Sequence, residues 1–167
     1  RGLVIEGPSG IGKTTAVETA LQKLNVQVTR LSARKPEDIE YIQILPTLKK
    51  AGIVLVDDFH RLPSETRTSI ADLMKTLADT ESKDTKIIVL GINRAGDNLI
   101  QIAPDLVNRL DVIRFENEPD AKIYELIAKG EAALNISITV RDDIVESAKG
   151  SFYLAQMLCK EICMASN

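Results

Sequence analysis

Short apolar runs rich in valine and isoleucine alternate with longer segments of helical period over most of the chain. This alternation is typical of α/β proteins built on a parallel sheet, because strands covered on both faces are apolar throughout. The intervening segments carry apolar residues at i, i+3, i+4 and i+7, which predicts helices with one face on the sheet. We predict five strands, at residues 3–6, 26–31, 53–57, 86–92 and 111–115.

The pattern changes after the fifth predicted strand. Asn117-Glu118-Pro119 is typical of a hinge, and the sequence beyond it is helical in period apart from a short extended piece at 136–138. A capping box at Thr139-Val140-Arg141-Asp142 predicts the start of one of these helices. We therefore predict an α/β domain over residues 1–117 and a small helical subdomain over residues 118–167. Since the sequence begins inside its first strand, we expect a fragment of a longer protein.

The composition and net charge argue against nucleic acid, membranes and zinc as binding partners. Hydrophobic residues make up 44% and charged residues 27% of the 167 positions, which is ordinary for a soluble globular protein. The net charge of −3 gives no electrostatic footprint for nucleic acid, and no apolar run approaches the ~20 residues of a membrane span, so we expect neither partner. We interpret the basic cluster of Arg30, Arg34 and Lys35 as a solvated loop. Cys159 and Cys163 cannot build a zinc site with one histidine, and we expect buried thiols in a reducing, cytoplasmic compartment.

The segment from Gly7 to Thr14 carries the first candidate chemistry. It satisfies the pattern G-x-x-x-x-G-K-[ST] between a predicted strand and a predicted helix. Its glycines let successive backbone N–H groups turn inward, where they bind the β-phosphate of a nucleotide. Lys13 is predicted to bridge the β- and γ-phosphates and the Thr14 hydroxyl to ligate Mg²⁺, whereas the alternative, a glycine-rich turn with an accidental lysine, does not explain the flanking elements. The predicted nucleotide-binding residues are Gly7, Pro8, Ser9, Gly10, Ile11, Gly12, Lys13, Thr14 and Thr15.

The third predicted strand ends in two carboxylates, Asp57 and Asp58. The carboxyl ends of parallel strands meet at the edge of the sheet where phosphates bind. We predict that Asp57 holds the metal ion through water and that Asp58 orients or deprotonates an attacking water. The alternative is that the pair only caps the turn into the next helix.

The fourth predicted strand ends in Leu90-Gly91-Ile92-Asn93-Arg94. If this strand lies between the first and the third, the Asn93 amide reaches the γ-phosphate, which makes Asn93 a candidate sensor of that phosphate and of the attacking water. The alternative is an asparagine that begins a turn before Gly96.

Four segments in this order, GPSGIGKTT, IVLVDDFHRL, IIVLGINR and APDLVNRLDVIRFE, resemble the AAA+ ATPase module of the P-loop NTPases. The resemblance covers nearly the whole chain. It implies a five-stranded parallel sheet of order 5-1-4-3-2 sandwiched by helices, followed by a helical lid. It also implies that Asn93 is sensor 1, that the nucleotide is ATP or ADP with Mg²⁺, and that Arg109 is an arginine finger for a neighbouring copy in a homo-oligomer.

Two features depart from the usual AAA+ pattern, one in the second carboxylate and one in the lid, and Arg94 is a candidate substitute for the second. The second carboxylate is Asp58 rather than glutamate, a pairing similar to that of the STAND signalling ATPases. Arg94 resembles the arginine that STAND proteins use after the sensor strand, which implies a contact with the nucleotide. The segment 150–154 contains no arginine, where the family usually supplies a second sensor from its lid. These departures favour slow hydrolysis, which suits a switch.

The leading hypothesis is therefore an ATPase that acts as a nucleotide-dependent oligomerising switch or remodeller. An alternative is a catalytically weak scaffold that binds nucleotide and presents its lid to a partner. A P-loop kinase is disfavoured, because such enzymes need a basic lid over the donor phosphates and an AAA+-like fifth strand follows Asn93 instead. The sequence itself identifies no biological target, flanking domain or partner protein.

Overall fold

The computed structural model describes residues 1–92 and 95–165, so Asn93 and Arg94 lie outside the described residues. No helix in these described ranges is both long and apolar enough to cross a membrane. The strands are β1 (Gly2–Glu6), β2 (Val28–Ser32), β3 (Gly52–Asp57), β4 (Thr85–Gly91) and β5 (Leu110–Arg114). The α-helices are α1 (Lys13–Lys23), α2 (Pro36–Ile44), α3 (Ser64–Asp79), α4 (Ala95–Ile102), α5 (Asp120–Leu134), α6 (Arg141–Ala148) and α7 (Phe152–Ala165).

All five strands form one parallel sheet in the order β2-β3-β4-β1-β5. This confirms the predicted fold, since it is the 5-1-4-3-2 order viewed from the other edge. Strand β1 lies inside the sheet, where it pairs with β4 on one side and with the edge strand β5 on the other. The segments that follow β1, β3 and β4 therefore leave the same edge of the sheet.

The strands were predicted to within a few residues, and the largest shift is in β2. Val26 was expected to begin this strand, but its amide donates to the Leu21 carbonyl in the last turn of α1. The strand consequently begins two residues later, at Val28. The break expected at Pro46 is present, because α2 ends at Ile44 and Pro46 lies in a separate 3₁₀ turn.

The contacts divide the chain into two compact units. The first comprises Arg1–Gly7 and Lys13–Phe115, and the second comprises Pro8–Gly12 and Glu116–Asn167. In the first unit, neighbouring strand residues point to opposite faces of the sheet, so that Val4 and Ile5 belong to different apolar clusters. Both faces of the sheet are thus buried, as the continuous apolar strands require. The predicted domain boundary at residue 117 stays a prediction.

The second unit is built from α5, α6 and α7 around a small apolar core that contains Ile123, Ile127 and Ala155. The capping box predicted at residues 139–142 is wrong. The residue that precedes α6 is Val140 and no side chain caps it, so Thr139 lies one position too early. The backbone before α6 is held instead by Glu131, whose Oε1 accepts from the amide of Ile138 at 2.6 Å.

Candidate functional site

The glycine-rich segment after β1 has the backbone of a phosphate-binding loop. Gly7, Gly10 and Gly12 have φ angles of 151°, 78° and 92°, a region that other residues rarely adopt. A Cβ atom at Gly7 would also collide with the carbonyl oxygen of Phe115. Within this loop Pro8 is half-buried, Ser9 is exposed and Ile11 is buried. The predicted glycine positions are thus required by the backbone itself.

Lys13 and Thr14 begin helix α1 beside the end of β3. The Lys13 Nζ donates to the carbonyl oxygen of Gly7 at 2.8 Å, and the Thr14 Oγ1 donates to Asp57 Oδ2 at 3.1 Å. Thr15 follows in the same turn, where its carbonyl oxygen accepts from the Thr19 hydroxyl. The structure therefore brings Asp57 next to Lys13 and Thr14, although Asp57 lies 43 positions after Thr14 in the sequence.

The Thr14 hydroxyl and the Asp57 carboxylate fit a hydrated magnesium ion. Mg²⁺ is usually held by one or two protein oxygens together with water and substrate phosphates. The described residues contain no group of three or more His, Cys, Asp and Glu side chains that could hold a metal ion. Thr14 and Asp57 supply the number and type of oxygen ligands that Mg²⁺ takes from a protein when water and phosphates fill its other positions.

Lys13 lies in a partly desolvated position. Burial lowers the pKa of its ammonium group, and the nearby charges of Asp57 and Asp58 act in the opposite direction. An ammonium group that has already lost part of its hydration has a smaller desolvation cost when it binds a phosphate.

Asp58 is held in an ion pair that the sequence did not reveal. Its Oδ2 accepts from Arg34 Nε at 2.5 Å and its Oδ1 from Arg34 Nη2 at 3.1 Å. The Asp58 side chain is 15% exposed, whereas that of Arg34 is 61% exposed. The hydrogen bond from Arg34 is the main cause that lowers the pKa of Asp58. The Arg34 position, interpreted as a solvated loop, is thus in direct contact with a candidate catalytic residue.

The backbone of Asp58 is unusual as well. Its φ of 55° and ψ of 35° are in the left-handed region, and its amide donates to Asp57 Oδ1 at 2.7 Å. Its carbonyl accepts from the amide of Arg61 at 2.8 Å, which closes a 3₁₀ turn over Phe59–Arg61. The turn directs Asp58 away from the line of β3 and toward the end of β2.

Arg109 lies directly before β5 and is bound to its own chain. Its Nε donates to Asp79 Oδ1 at 2.5 Å, at the end of α3, and its Nη1 donates to the carbonyl oxygen of Asp105 at 2.6 Å. The hydrogen bond from Asp79 is the main cause that raises the pKa of Arg109. Its described partners thus lie on α3 and the preceding turn, rather than on the phosphate-binding loop.

Within the second unit, the loop is packed against the first turn of α7. A Cβ atom at Gly10 would lie 3.0 Å from the Cβ and 3.5 Å from the Cδ1 of Tyr153. The side chain of Tyr153 nevertheless stays 58% exposed. Tyr153 lies in the segment that lacks the expected arginine, and no sequence motif singled it out.

A profile of the ATPase family associated with various cellular activities (AAA) matches residues 3–117 of the chain. The chain belongs to the AAA family. The match covers more than half of this AAA chain, including the loop, both carboxylates, and Arg109.

Among curated proteins, the AAA chain is similar to the Holliday junction branch migration complex subunit RuvB from two organisms. The subunit of Phytoplasma mali is 24% identical over 177 aligned positions, which cover 96% of this chain and 52% of the relative. The subunit of Pediococcus pentosaceus is 33% identical over 64 residues, which cover 36% of this chain and 18% of the relative. The AAA chain thus spans about half the length of the first of these relatives.

Solved structures show the same fold. The Thermotoga maritima RuvB Holliday junction branch migration motor matches with a TM-score of 0.66 at 19% identity, over 95% of this chain and 53% of that protein. A DNA replication initiation factor matches with a TM-score of 0.59 at 16% identity, over 99% of this chain and 55% of that protein. Both likenesses concern the fold alone.

Proposed function

We propose that this AAA module binds ATP with Mg²⁺, hydrolyses it slowly to ADP and phosphate, and uses the two states as an oligomerising switch. The observation that carries the proposal is the hydrogen bond between Thr14 and Asp57 beside the Lys13 ammonium group. These three groups are the donors, acceptors and charge that a magnesium-bound triphosphate requires.

Each residue has a distinct role in this proposal. The loop amides and Lys13 bind the β- and γ-phosphates, while Thr14 and Asp57 hold Mg²⁺, which when bound neutralises phosphate charge. Asp58 orients or deprotonates the attacking water. We further propose Asn93 as the γ-phosphate sensor, with Arg94 beside it as a contact to the nucleotide.

The ion pair of Asp58 with Arg34 supports slow hydrolysis. Both carboxylate oxygens of Asp58 are engaged by the guanidinium group, and a carboxylate with a lowered pKa is a weaker base. Turnover then requires that Arg34 withdraw from at least one oxygen. Such a requirement suits a switch that keeps ATP bound for a long time.

Arg109 is proposed to complete the site of a neighbouring copy. In this chain its guanidinium group is held by Asp79 and the Asp105 carbonyl on an exposed surface. Because exposed ion pairs contribute little free energy, exchange of these partners for a phosphate of a second copy costs little. The resulting assembly is a homo-oligomer whose stability depends on bound ATP.

Steady-state ATP hydrolysis measured over a range of protein concentrations tests the proposal. We expect a specific activity that rises with concentration and is lost in Arg109→Ala. A mixture of Arg109→Ala and Asp58→Asn should recover part of the activity, because one copy supplies the carboxylate and the other the arginine. Activity that is independent of both concentration and Arg109 would show that the finger does not act between copies.

The hydrolysis assay, combined with a measurement of the melting temperature, separates the alternatives. A rise in melting temperature with ATP-Mg²⁺ but no turnover at any concentration would favour the catalytically weak scaffold. No thermal shift at all would contradict the nucleotide-binding proposal itself.

A motor that acts on DNA is a second candidate, favoured by the similarity to RuvB. The formal charge of −3 argues against DNA binding by this module alone. A synthetic four-way junction added to the hydrolysis assay, with linear duplex as the control, tests this candidate. Stimulation by the junction beyond that by duplex would favour it.

A further inference from the structure

Glu6 is a buried carboxylate at the last position of β1, directly before the phosphate-binding loop. It is 3% exposed in a strand whose neighbours Val4 and Ile5 are apolar and buried. A buried charge is costly unless it is paired and hydrogen-bonded. An apolar residue would therefore give at least the same stability at this position. Stability alone does not explain the carboxylate, so its hydrogen-bond partners are the informative feature.

The two oxygens of Glu6 bind two different elements of the first unit. Oε2 accepts from the backbone amide of Gly96 at 2.8 Å, and Oε1 accepts from Arg114 Nε at 2.7 Å. Gly96 lies in the first turn of α4 and Arg114 is the last residue of β5. One side chain thus connects the end of β1 with two other segments of the chain.

The contact with Gly96 caps α4 from outside the helix. The first amides of a helix lack partners within it and carry partial positive charge, so a carboxylate there stabilises the helix start. The approach is close, because a Cβ atom at Gly96 would lie 3.1 Å from Val112 Cγ2 and 3.4 Å from Glu6 Oε2. The position of the α4 start is therefore fixed relative to β1.

The placement of these segments gives the contact a functional meaning. Gly7, the residue after Glu6, begins the phosphate-binding loop, and Gly96 follows Asn93 and Arg94 by two to three positions in the sequence. The Glu6 carboxylate thus joins the end of β1 to the first turn of α4, which follows Arg94 directly in the sequence. A second carboxylate bond, to the end of β5, fixes the strand that follows Arg109.

We propose that Glu6 is a positioning residue that fixes the start of α4 and the end of β5 to the end of β1, at the position directly before the phosphate-binding loop. Its charge is needed for turnover far more than for nucleotide binding. This inference rests on the proposed ATPase function for its kinetic part only.

Glu6→Gln is the informative variant, because glutamine has nearly the same size but only one accepting oxygen. It cannot accept from both Gly96 and Arg114. We expect kcat to fall about tenfold or more, since small misplacements near reacting groups are costly. The Kd for ATP-Mg²⁺, measured with a fluorescent ATP analogue, should change less than about threefold, because the loop donors remain in place. Glu6→Asp should recover part of kcat.

Glu131→Gln is the matched control. Glu131 is also a buried carboxylate, and it likewise accepts from one backbone amide, that of Ile138, and from an arginine, Arg141. It belongs to the second unit and has no proposed contact with the nucleotide. This variant should lower the melting temperature and leave kcat unchanged.

Hydrogen exchange of the peptide 92–99 in the presence of ATP-Mg²⁺ provides a readout independent of hydrolysis. We expect it to be at least tenfold faster in Glu6→Gln than in the unmodified chain, with the loop peptide still protected. If Glu6→Gln and Glu131→Gln both lose only stability, or if Kd weakens as much as kcat falls, the positioning role is wrong. Unchanged exchange at 92–99 also overturns it, even in a chain that binds ATP without turnover. Absence of ATP binding by the unmodified chain would instead contradict the proposed function.

Discussion

Arg34 donates hydrogen bonds to both carboxylate oxygens of Asp58, from Nε at 2.5 Å and from Nη2 at 3.1 Å. The contact follows from the sheet, because β2 lies beside β3 with Ser32 opposite Asp57. The residues that leave these two strands are therefore neighbours, although they are far apart in sequence. In the proposed function, this pair determines how readily Asp58 can serve as a base.

Replacement of Arg34 by glutamine is expected to raise the rate of ATP hydrolysis. The change frees both Asp58 oxygens and raises the pKa of the carboxyl group toward its ordinary value, so that Asp58 becomes a better proton acceptor. We expect kcat to rise about threefold to tenfold, measured under saturating ATP-Mg²⁺. Arg30→Gln is the control, since Arg30 pairs with Glu18 instead. A kcat that falls in Arg34→Gln would mean that Arg34 assists the reaction.

The same ion pair predicts how stability depends on pH. Arg34 lowers the pKa of Asp58 below the ordinary value of 3.8, so the folded chain binds fewer protons than the unfolded chain in that range. The stabilisation is therefore complete above pH 3.8 and is lost as the pH falls through the lowered pKa. Urea unfolding should show Arg34→Gln less stable than the unmodified chain at pH 6, with the difference shrinking at the lowest pH at which both fold. A difference that grows on acidification would contradict this sign.

Thr14→Val should remove the contribution of Mg²⁺ to nucleotide binding. Valine has the shape of threonine without the hydroxyl that donates to Asp57 and is proposed to ligate the metal. We expect the Kd for ATP-Mg²⁺ to weaken about tenfold, while the Kd for ATP in EDTA stays the same. Thr19→Val is the control, because its hydroxyl only binds a carbonyl oxygen within α1. Equal weakening with and without Mg²⁺ would argue against the metal role.

Gly10→Ala should destabilise the chain and weaken nucleotide binding. Alanine at a φ of 78° costs about 1–2 kcal/mol, and its Cβ would press on Tyr153 at 3.0 Å. Gly130→Ala is the control, and we expect it to have the opposite effect. Gly130 lies inside α5 with open space around its Cβ position, so alanine should increase the free energy of unfolding by up to ~1 kcal/mol. Denaturant unfolding of both variants checks the pair. Equal effects of the two substitutions would show that the loop conformation is not strained by a side chain.

The sequence was sufficient for the fold because its strongest signals are local. Apolar strands, helical periods and the glycine pattern from Gly7 to Thr14 each depend on neighbouring residues, and they gave four of the strands closely. The start of β2 was missed because a hydrogen bond from Val26 to Leu21 extends the end of α1. The start of α6 was misplaced because the capping pattern at 139–142 was taken to set it, whereas the helix follows Val140 and has no side-chain cap.

In the candidate site, too, features set by neighbouring residues were predicted and features set by contacts between separate segments were not. Thr14 and Asp57 were expected to serve the same magnesium ion, from two motifs that are each recognisable on their own, and the structure places them in contact. The partners of Arg34, Glu6 and Tyr153 were not, since each depends on which strands or helices lie side by side. Side chains of these types occur all over protein surfaces, and only the register of the sheet or the packing of a helix gives them a partner.

The left-handed backbone of Asp58 bears on how this module can change through substitution. Aspartate and asparagine tolerate that conformation better than residues with longer side chains, because their short polar groups bond locally. A single exchange to glutamate therefore brings a longer side chain together with a conformational cost. Under the proposed function, a faster variant of this chain is therefore more accessible through changes around Asp58, at Arg34 first of all, than through Asp58 itself.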